Sequence, residues 1–230
     1  EGEGGAGTVS GDPITYYGTV RRKFELPVGE LTSMLRAPDM HVFATAFHGS
    51  GDAQWIDRLV VTTAGGERVV QVTIKKDIAD FNSSRFPPNA FETIDVAMGP
   101  RGAEPLVVMP PRDAQYHHRQ GIDISFTRVR PGGPVGDAPE FETMIGEACR
   151  EAVMVASGWA KILILSTSAS EYYGFDSDLA VKYAHLDFMV LWMRDATSFE
   201  GVLPELWGLR PLTDRVAAMI DHEGNPSIIS

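Results

Sequence analysis

The segment from Trp55 to Lys76 narrows the possible folds more than any other part of the chain. Trp55 to Thr63 is followed by Ala64-Gly65-Gly66-Glu67 and then by Arg68 to Lys76. Val70, Val72 and Ile74 alternate with Gln71, Thr73 and Lys75, a period of two that sends one set to a buried face and the other to water. Gly65-Gly66 supplies the positive φ that a tight hairpin turn demands. The segment reads as an antiparallel hairpin, so the rest of the chain has to be built beside a sheet.

Further strands follow from the same signals. His41 to Phe47 alternates Val42, Ala44 and Ala46 with Phe43, Thr45 and Phe47, and ends at the turn Gly49-Ser50-Gly51-Asp52. The loop Phe86-Pro87-Pro88-Asn89 precedes a strand over Phe91 to Met98, and the turn Gly99-Pro100-Arg101-Gly102 leads to Leu106 to Met109. Gly121 to Val129 places Ile122, Ile124 and Phe126 on one side. Short strands between tight turns argue for an antiparallel sheet rather than alternating βαβ units.

Helical spacing enters at three places. Pro27 to Arg36 is expected to form a short helix, with Pro27 in its first turn and Leu31, Met34 and Leu35 on one side. After Pro131 to Gly136, the residues Phe141, Ile145, Ala148, Ala152 and Val155 recur at three and four, and Pro139, Glu140 and Glu142 suit a helix N-terminus. Phe175, Leu179, Tyr183, Leu186, Val190 and Met193 repeat that spacing over Phe175 to Phe199, capped by Asp176 or Ser177. Sheet first and helices last gives an α+β class. Residues 1 to 12, rich in glycine, read as a flexible arm, residues 13 to 199 as a single domain, and residues 200 to 230, with Trp207, as an extension.

Composition bounds the function. With 43% hydrophobic residues the chain has ample material for a core. Its 31 Asp and Glu against 20 Lys and Arg give a formal charge of -11, which repels nucleic acid and attracts basic proteins. Arg21-Arg22-Lys23 is the nearest thing to a basic patch and reads as a solvated element end. The single cysteine, Cys149, excludes an intramolecular disulfide and a cysteine-rich zinc site, and fits a reducing compartment. The longest apolar run, Ile162-Leu-Ile-Leu165, is of strand length, far from the ~20 residues of a spanning helix.

Several constellations invite a chemical reading and lose to a structural one. Glu147 and Arg150, three apart on the expected helix, resemble the catalytic pair of ribosome-inactivating adenine glycosidases, but the two stacking tyrosines that would sandwich the base are missing. An exposed ion pair worth ~0.2 to 0.5 kcal/mol accounts for them. Ser166-Thr-Ser168 with Glu200, and Arg128 or Arg150, resembles mono-ADP-ribosyltransferases, but Ser198 stands where a second acidic or amide residue belongs. His117 and His118 are adjacent and point to opposite faces of a strand, and His41 and His48 have no carboxylate at ligand spacing, so no metal site is expected. The glycine turns lack a following Lys-Ser or Lys-Thr. Trp55, Trp159, Trp192 and Trp207 read as core or interface anchors.

The order of elements resembles the mitochondrial acidic matrix protein family, also called the mitochondrial glycoprotein family. The residues that carry the resemblance are the hairpin Leu59 to Ile74, the next pair Phe91-Glu-Thr-Ile-Asp-Val96 and Leu106-Val-Val108, the strand Gly121-Ile-Asp-Ile-Ser-Phe126, and the aromatic and aliphatic ladder Phe175 to Phe199. The chain departs from the family at Pro27 and Gly29, at Pro131 to Gly136, at Trp159 to Tyr173 and beyond Glu200. The resemblance implies a twisted antiparallel sheet of about seven strands flanked by N- and C-terminal helices and a doughnut-like homotrimer. It also implies the mitochondrial matrix, and a non-enzymatic role in mitochondrial ribosome assembly and respiratory-chain maintenance. On this reading there is no catalytic residue, cofactor or metal. Phe175, Leu179, Tyr183, Leu186, Val190 and Met193 pack helices in an oligomer, alone or mixed with a paralogue, and the partners are basic proteins rather than nucleic acid or membrane. A toxin-like glycosidase using Glu147 and Arg150 is the alternative.

Overall fold

The computed structural model describes residues 7–10, 13–48, 54–74, 94–99, 115–129, 150–167 and 185–220. Its strands are β1 (Gly7–Ser10), β2 (Ile14–Tyr17), β3 (Val20–Lys23), β4 (Thr32–Arg36), β5 (Met40–His48), β6 (Gln54–Thr63), β7 (Arg68–Ile74), β8 (Ile94–Met98), β9 (Gln115–Arg119), β10 (Ile122–Val129), β11 (Arg150–Ala156), β12 (Ala160–Thr167) and β13 (His185–Met193). A 3-10 turn over Ala196–Ser198 and two short helices, α1 (Val202–Leu206) and α2 (Asp214–Ala217), follow. The strands form an eight-stranded sheet, β3-β2-β1-β13-β12-β11-β10-β9, and a five-stranded sheet, β4-β5-β6-β7-β8. All pairings between these strands are antiparallel.

One apolar core joins the two sheets. Val42, Leu59, Val70 and Val72 of the small sheet belong to the same cluster as Ile124, Val153, Ile162, Ile164, Phe188 and Val190 of the large one. Residues 24 to 31 cross between the sheets, burying Phe24 and Leu26 on the way. The crossing backbone is held by a side chain: the Gln54 amide accepts from the Leu26 N–H at 2.6 Å and donates to its carbonyl at 2.7 Å. That pair satisfies two peptide groups that would otherwise be buried without partners.

The hairpin expected over Trp55 to Lys76 is β6 and β7, and the expected strands at 41 to 47, 91 to 98 and 121 to 129 are β5, β8 and β10. Leu106 to Met109 lies outside the described residues. The helices are where the structure corrects the sequence. Thr32–Arg36 is a strand, not the end of a helix begun at Pro27, and Gly29 sits at φ +75°, outside helical geometry. Arg150–Ala156 is a strand, so Ala152 and Val155 lie on β11, while Phe141, Ile145 and Ala148 lie outside the described residues. In the expected terminal helix, His185–Met193 is a strand at the heart of the large sheet. Leu186, Val190 and Met193 are buried there within one chain, which removes them from any helix seam between copies. Phe175, Leu179 and Tyr183 lie outside the described residues.

The described parts of both supposed appendages, Gly7–Ser10 and residues 200–220, are built into the fold. Gly7–Ser10, placed in a flexible arm by their glycine content, form β1 between β2 and β13, with Val9 buried. Gly7 is required there because the Trp207 ring lies where a β-carbon would stand, its Cη2 2.6 Å away. Trp207, read as part of an extension, is buried, stacks on Tyr17 at 5.0 Å and donates from Nε1 to the Thr15 hydroxyl at 2.6 Å. Residues 199 to 220 thus fill the opening between β1–β3 and the β4 edge, where Arg36 and Glu200 exchange backbone hydrogen bonds of 2.7 and 3.0 Å.

Candidate functional site

The strand registers sort the connections into two ends. Val129 pairs with Arg150, Thr167 with His185, and Ser10 with Ile14, so the strand ends flanking residues 130–149, 168–184 and 11–12 share one end of the large sheet. His48 pairs with Gln54 and Ile74 with Ile94, so the ends flanking 49–53 and 75–93 share one end of the small sheet. His185 of β13 stacks on Trp55 of β6 at 5.0 Å, which brings the two ends together. At the opposite end, where β8 also ends at Met98 before residues 100–114, five turns are short: 18–19, 37–39, 64–67, 120–121 and 157–159. There the Ser157 hydroxyl donates to Asp39 at 2.8 Å, tying one sheet's turn to the other's.

Long connections gathered at one end of a rigid sheet pair are the usual place for recognition, because loop sequence varies there without disturbing the core. The described floor of this end is aromatic and polar. Trp55 stacks on His185 at an interplanar angle of 28° and meets Phe47 edge-on at 6.1 Å. His185 and Asp187 share a face of β13, with Nε2 3.5 Å from Oδ1 and side chains only 4% and 2% exposed. On β5 and β6, the Thr45 hydroxyl donates to Asp57 at 2.6 Å. The histidine–carboxylate pair lies within β13, and His185 links that strand to β6 through its stack on Trp55.

Charge divides unevenly between the described residues and the rest of the chain. The described residues carry thirteen Lys and Arg and thirteen Asp and Glu, so they are formally neutral. The other seven cations and eighteen anions, and therefore the whole charge of -11, belong to the remaining residues. Residues 130–149 contribute -3, residues 168–184 contribute -2, and 11–12 and 49–53 contribute -1 each, while 75–93 balance. Seven of the eleven negative charges therefore sit on connections that leave and re-enter at the His185–Trp55 end.

The remaining candidates are scattered. Glu147 lies outside the described residues and Arg150 opens a strand, so the helical spacing that paired them does not hold at Arg150. Ser166 and Thr167 end β12 opposite Leu186 and His185, Arg128 is on β10, and Ser168 lies outside the described residues. Glu200 is exposed and faces Arg36 at 3.8 Å, away from that strand end. His117 and His118 do face opposite ways, His117 edge-on to Phe126 at 6.0 Å and His118 against Asp123 at 2.5 Å. His41 accepts from Arg36 Nε at 3.0 Å, and its pKa is lowered, first by burial and then by the Arg36 charge, against an opposing pull from Glu200. Asp195 is held below the usual carboxylate range by hydrogen bonds from Thr197 and Ser198. Among the described residues no group of three or more His, Cys, Asp or Glu side chains could hold a metal. No described helix is long and apolar enough to cross a membrane.

Sequence reasoning missed the His185–Asp187 pair by placing it in a helix. The signal was present: a His-x-Asp spacing puts both side chains on one face of a strand. Comparison with protein-family models gives no match to this chain, and comparison with curated proteins gives none either.

Proposed function

We propose that the chain is a non-enzymatic binding protein that captures basic partners through acidic residues on the connections at its His185–Trp55 end. The observation that carries this reading is the charge division: formally neutral described residues, with a net charge of -7 on the connections joined to one end of them. Charges collected on one side raise the local concentration of an oppositely charged partner and speed its arrival. At ~0.15 M ionic strength the Debye length is ~8 Å, so charges near the contact dominate. The mitochondrial matrix, and ribosomal proteins or assembly factors as partners, are part of this proposal on the resemblance alone. An oligomer is not, because Leu186, Val190 and Met193 are buried inside a single chain.

The test is a salt titration of association with an immobilised lysine-rich peptide, with an RNA oligomer as control. Association that slows about tenfold or more as salt is raised towards 1 M, with the RNA unbound, supports the proposal. Salt-insensitive binding, or tight binding to the RNA alone, refutes it.

A further inference from the structure

We propose that the crossing segment, residues 24–31, is an apolar contact site for a basic polypeptide segment that carries aliphatic side chains among its cations. The inference rests on the reading above and adds what kind of basic partner fits. Among the described residues the exposed large hydrophobic side chains are Val28, Leu31, Trp192 and Leu212. Val28 and Leu31, 46% and 49% exposed, stand three residues apart on one short segment. Single apolar side chains in water are ordinary. Two on one turn, at the end where the acidic connections gather, make a local contact.

Hydrogen bonds place the segment between two of those connections. The Phe24 N–H donates to the Pro13 carbonyl at 3.1 Å, beside residues 11–12. Val28 bridges Ala46, two residues before β5 ends at His48 and residues 49–53 leave. Gln54, where they return, holds both peptide groups of Leu26. The turn is pinned as well. The Gly29 N–H donates to the Ala46 carbonyl at 3.0 Å and the Glu30 N–H to the Pro27 carbonyl at 3.2 Å, while Gly29 takes a φ of +75°. Phe24 and Leu26 anchor the segment in the shared core. Val28 and Leu31 are therefore held in water by backbone that is already ordered, and a partner that covers them has little loop entropy to overcome.

Charge selects the partner. Residues 11–12 and 49–53 carry -1 each, and residues 24–31 hold Glu25 and Glu30 and no cation. Lys23, just before the segment, is half-buried and already engaged. Nothing in the segment opposes a cationic chain, whereas an anionic polymer or a second copy of charge -11 is repelled. Exposed aliphatic groups gain from apolar cover, which a sequence of lysines alone does not supply. A segment with leucine or valine among its lysines brings both, cations for the connections and apolar groups for Val28 and Leu31. The two contributions separate in rate: charge speeds arrival, and apolar cover slows departure.

The experiment measures association and dissociation of the full chain with two immobilised peptides of equal charge, one of lysine and leucine and one of lysine and serine. The leucine peptide should leave about tenfold more slowly, the effect of covering the open halves of two aliphatic side chains. Val28→Ser with Leu31→Ser should abolish that difference and leave both association rates unchanged, while Leu212→Ser, at a similarly exposed position, should alter neither. All these side chains are about half exposed, so the variants should fold. The inference is overturned, with the charge reading intact, if both peptides bind in a salt-dependent way and leave at the same rate, or if the slow departure survives the double substitution. Slow departure that the double substitution abolishes, with association insensitive to salt, supports the inference and refutes the charge reading. Binding of neither peptide overturns both. A dimer of the full chain, or binding to neutral phospholipid vesicles, that Val28→Ser with Leu31→Ser abolishes would also overturn the inference, by assigning the contact to another occupant.

Discussion

The two ends of this molecule are made differently. At one, five strand pairs are closed by short turns, Gln120 and Gly121 take φ of 51° and 78° to turn β9 into β10, and Ser157 reaches Asp39 across the two sheets. At the other, the strands are joined by connections of up to twenty residues, and the described contacts include the Trp55–His185 stack and the buried Gln54 amide. The short-turn end fixes register; the long-connection end carries charge. If the proposed reading holds, stability and recognition are separated along the strand axis, and substitutions at the two ends should fail in different ways.

The largest effect expected is on Trp55, which ties the long-connection end together. Trp55→Ala removes a buried ring and should cost about 3 to 5 kcal/mol in denaturant unfolding. A loss below about 1 kcal/mol would show that the stack does not hold β6 to β13. Next comes Gly7→Ala, which sets a methyl group against Trp207 and should cost about 1 to 3 kcal/mol. Wild-type stability there would mean that β1 is the loose arm its glycines suggest. At the short-turn end, Asp39→Ala leaves the Ser157 hydroxyl without its carboxylate acceptor and should cost about 1 kcal/mol by thermal unfolding.

The smallest effect concerns pH. The folded-state pKa of His41 is lowered, so the native protein favours the neutral imidazole that accepts from Arg36. The resulting stability is complete above the ordinary value of 6.5 and is lost as pH falls through the lower folded value. His41→Gln should flatten the stability profile below pH 6.5; an unchanged slope would assign it to other groups.

What the sequence disclosed follows the burial of each strand. In β5 and β7 one face meets the core and the other is partly open, so alternation is visible and the Gly65-Gly66 turn marks the join. In β13 the first six residues, His185 to Val190, are all buried, and Leu163, Leu165 and Met189 fill the face that the shared core does not use. A strand covered on both faces loses its period of two, and an apolar run then matches helical spacing as well as strand spacing. That is why Leu186, Val190 and Met193 read as a helix face. Gly7 was misread for a different reason: its lack of a side chain makes room for an indole two hundred residues away, a long-range contact that local composition cannot reveal. Of the candidate site, Trp55 and the acidic composition were legible. The neutrality of the folded body was not, because it depends on which residues the strands take up.

On the proposed reading, binding of basic partners depends on the acidic residues of the connections and not on the charges of the described residues. The most direct test compares two charge-removed variants for association with a lysine-rich peptide at low salt. One carries Asp137→Asn, Glu140→Gln, Glu142→Gln, Glu171→Gln, Asp176→Asn and Asp178→Asn; the other carries Glu30→Gln, Glu67→Gln and Asp214→Asn at exposed positions of the body. The second should stay within about 0.5 kcal/mol per substitution of wild-type stability. The account predicts that the first variant associates about tenfold or more slowly and loses most of its salt dependence, while the second behaves as the wild type. Equal slowing in both, or slowing in the second alone, would contradict it.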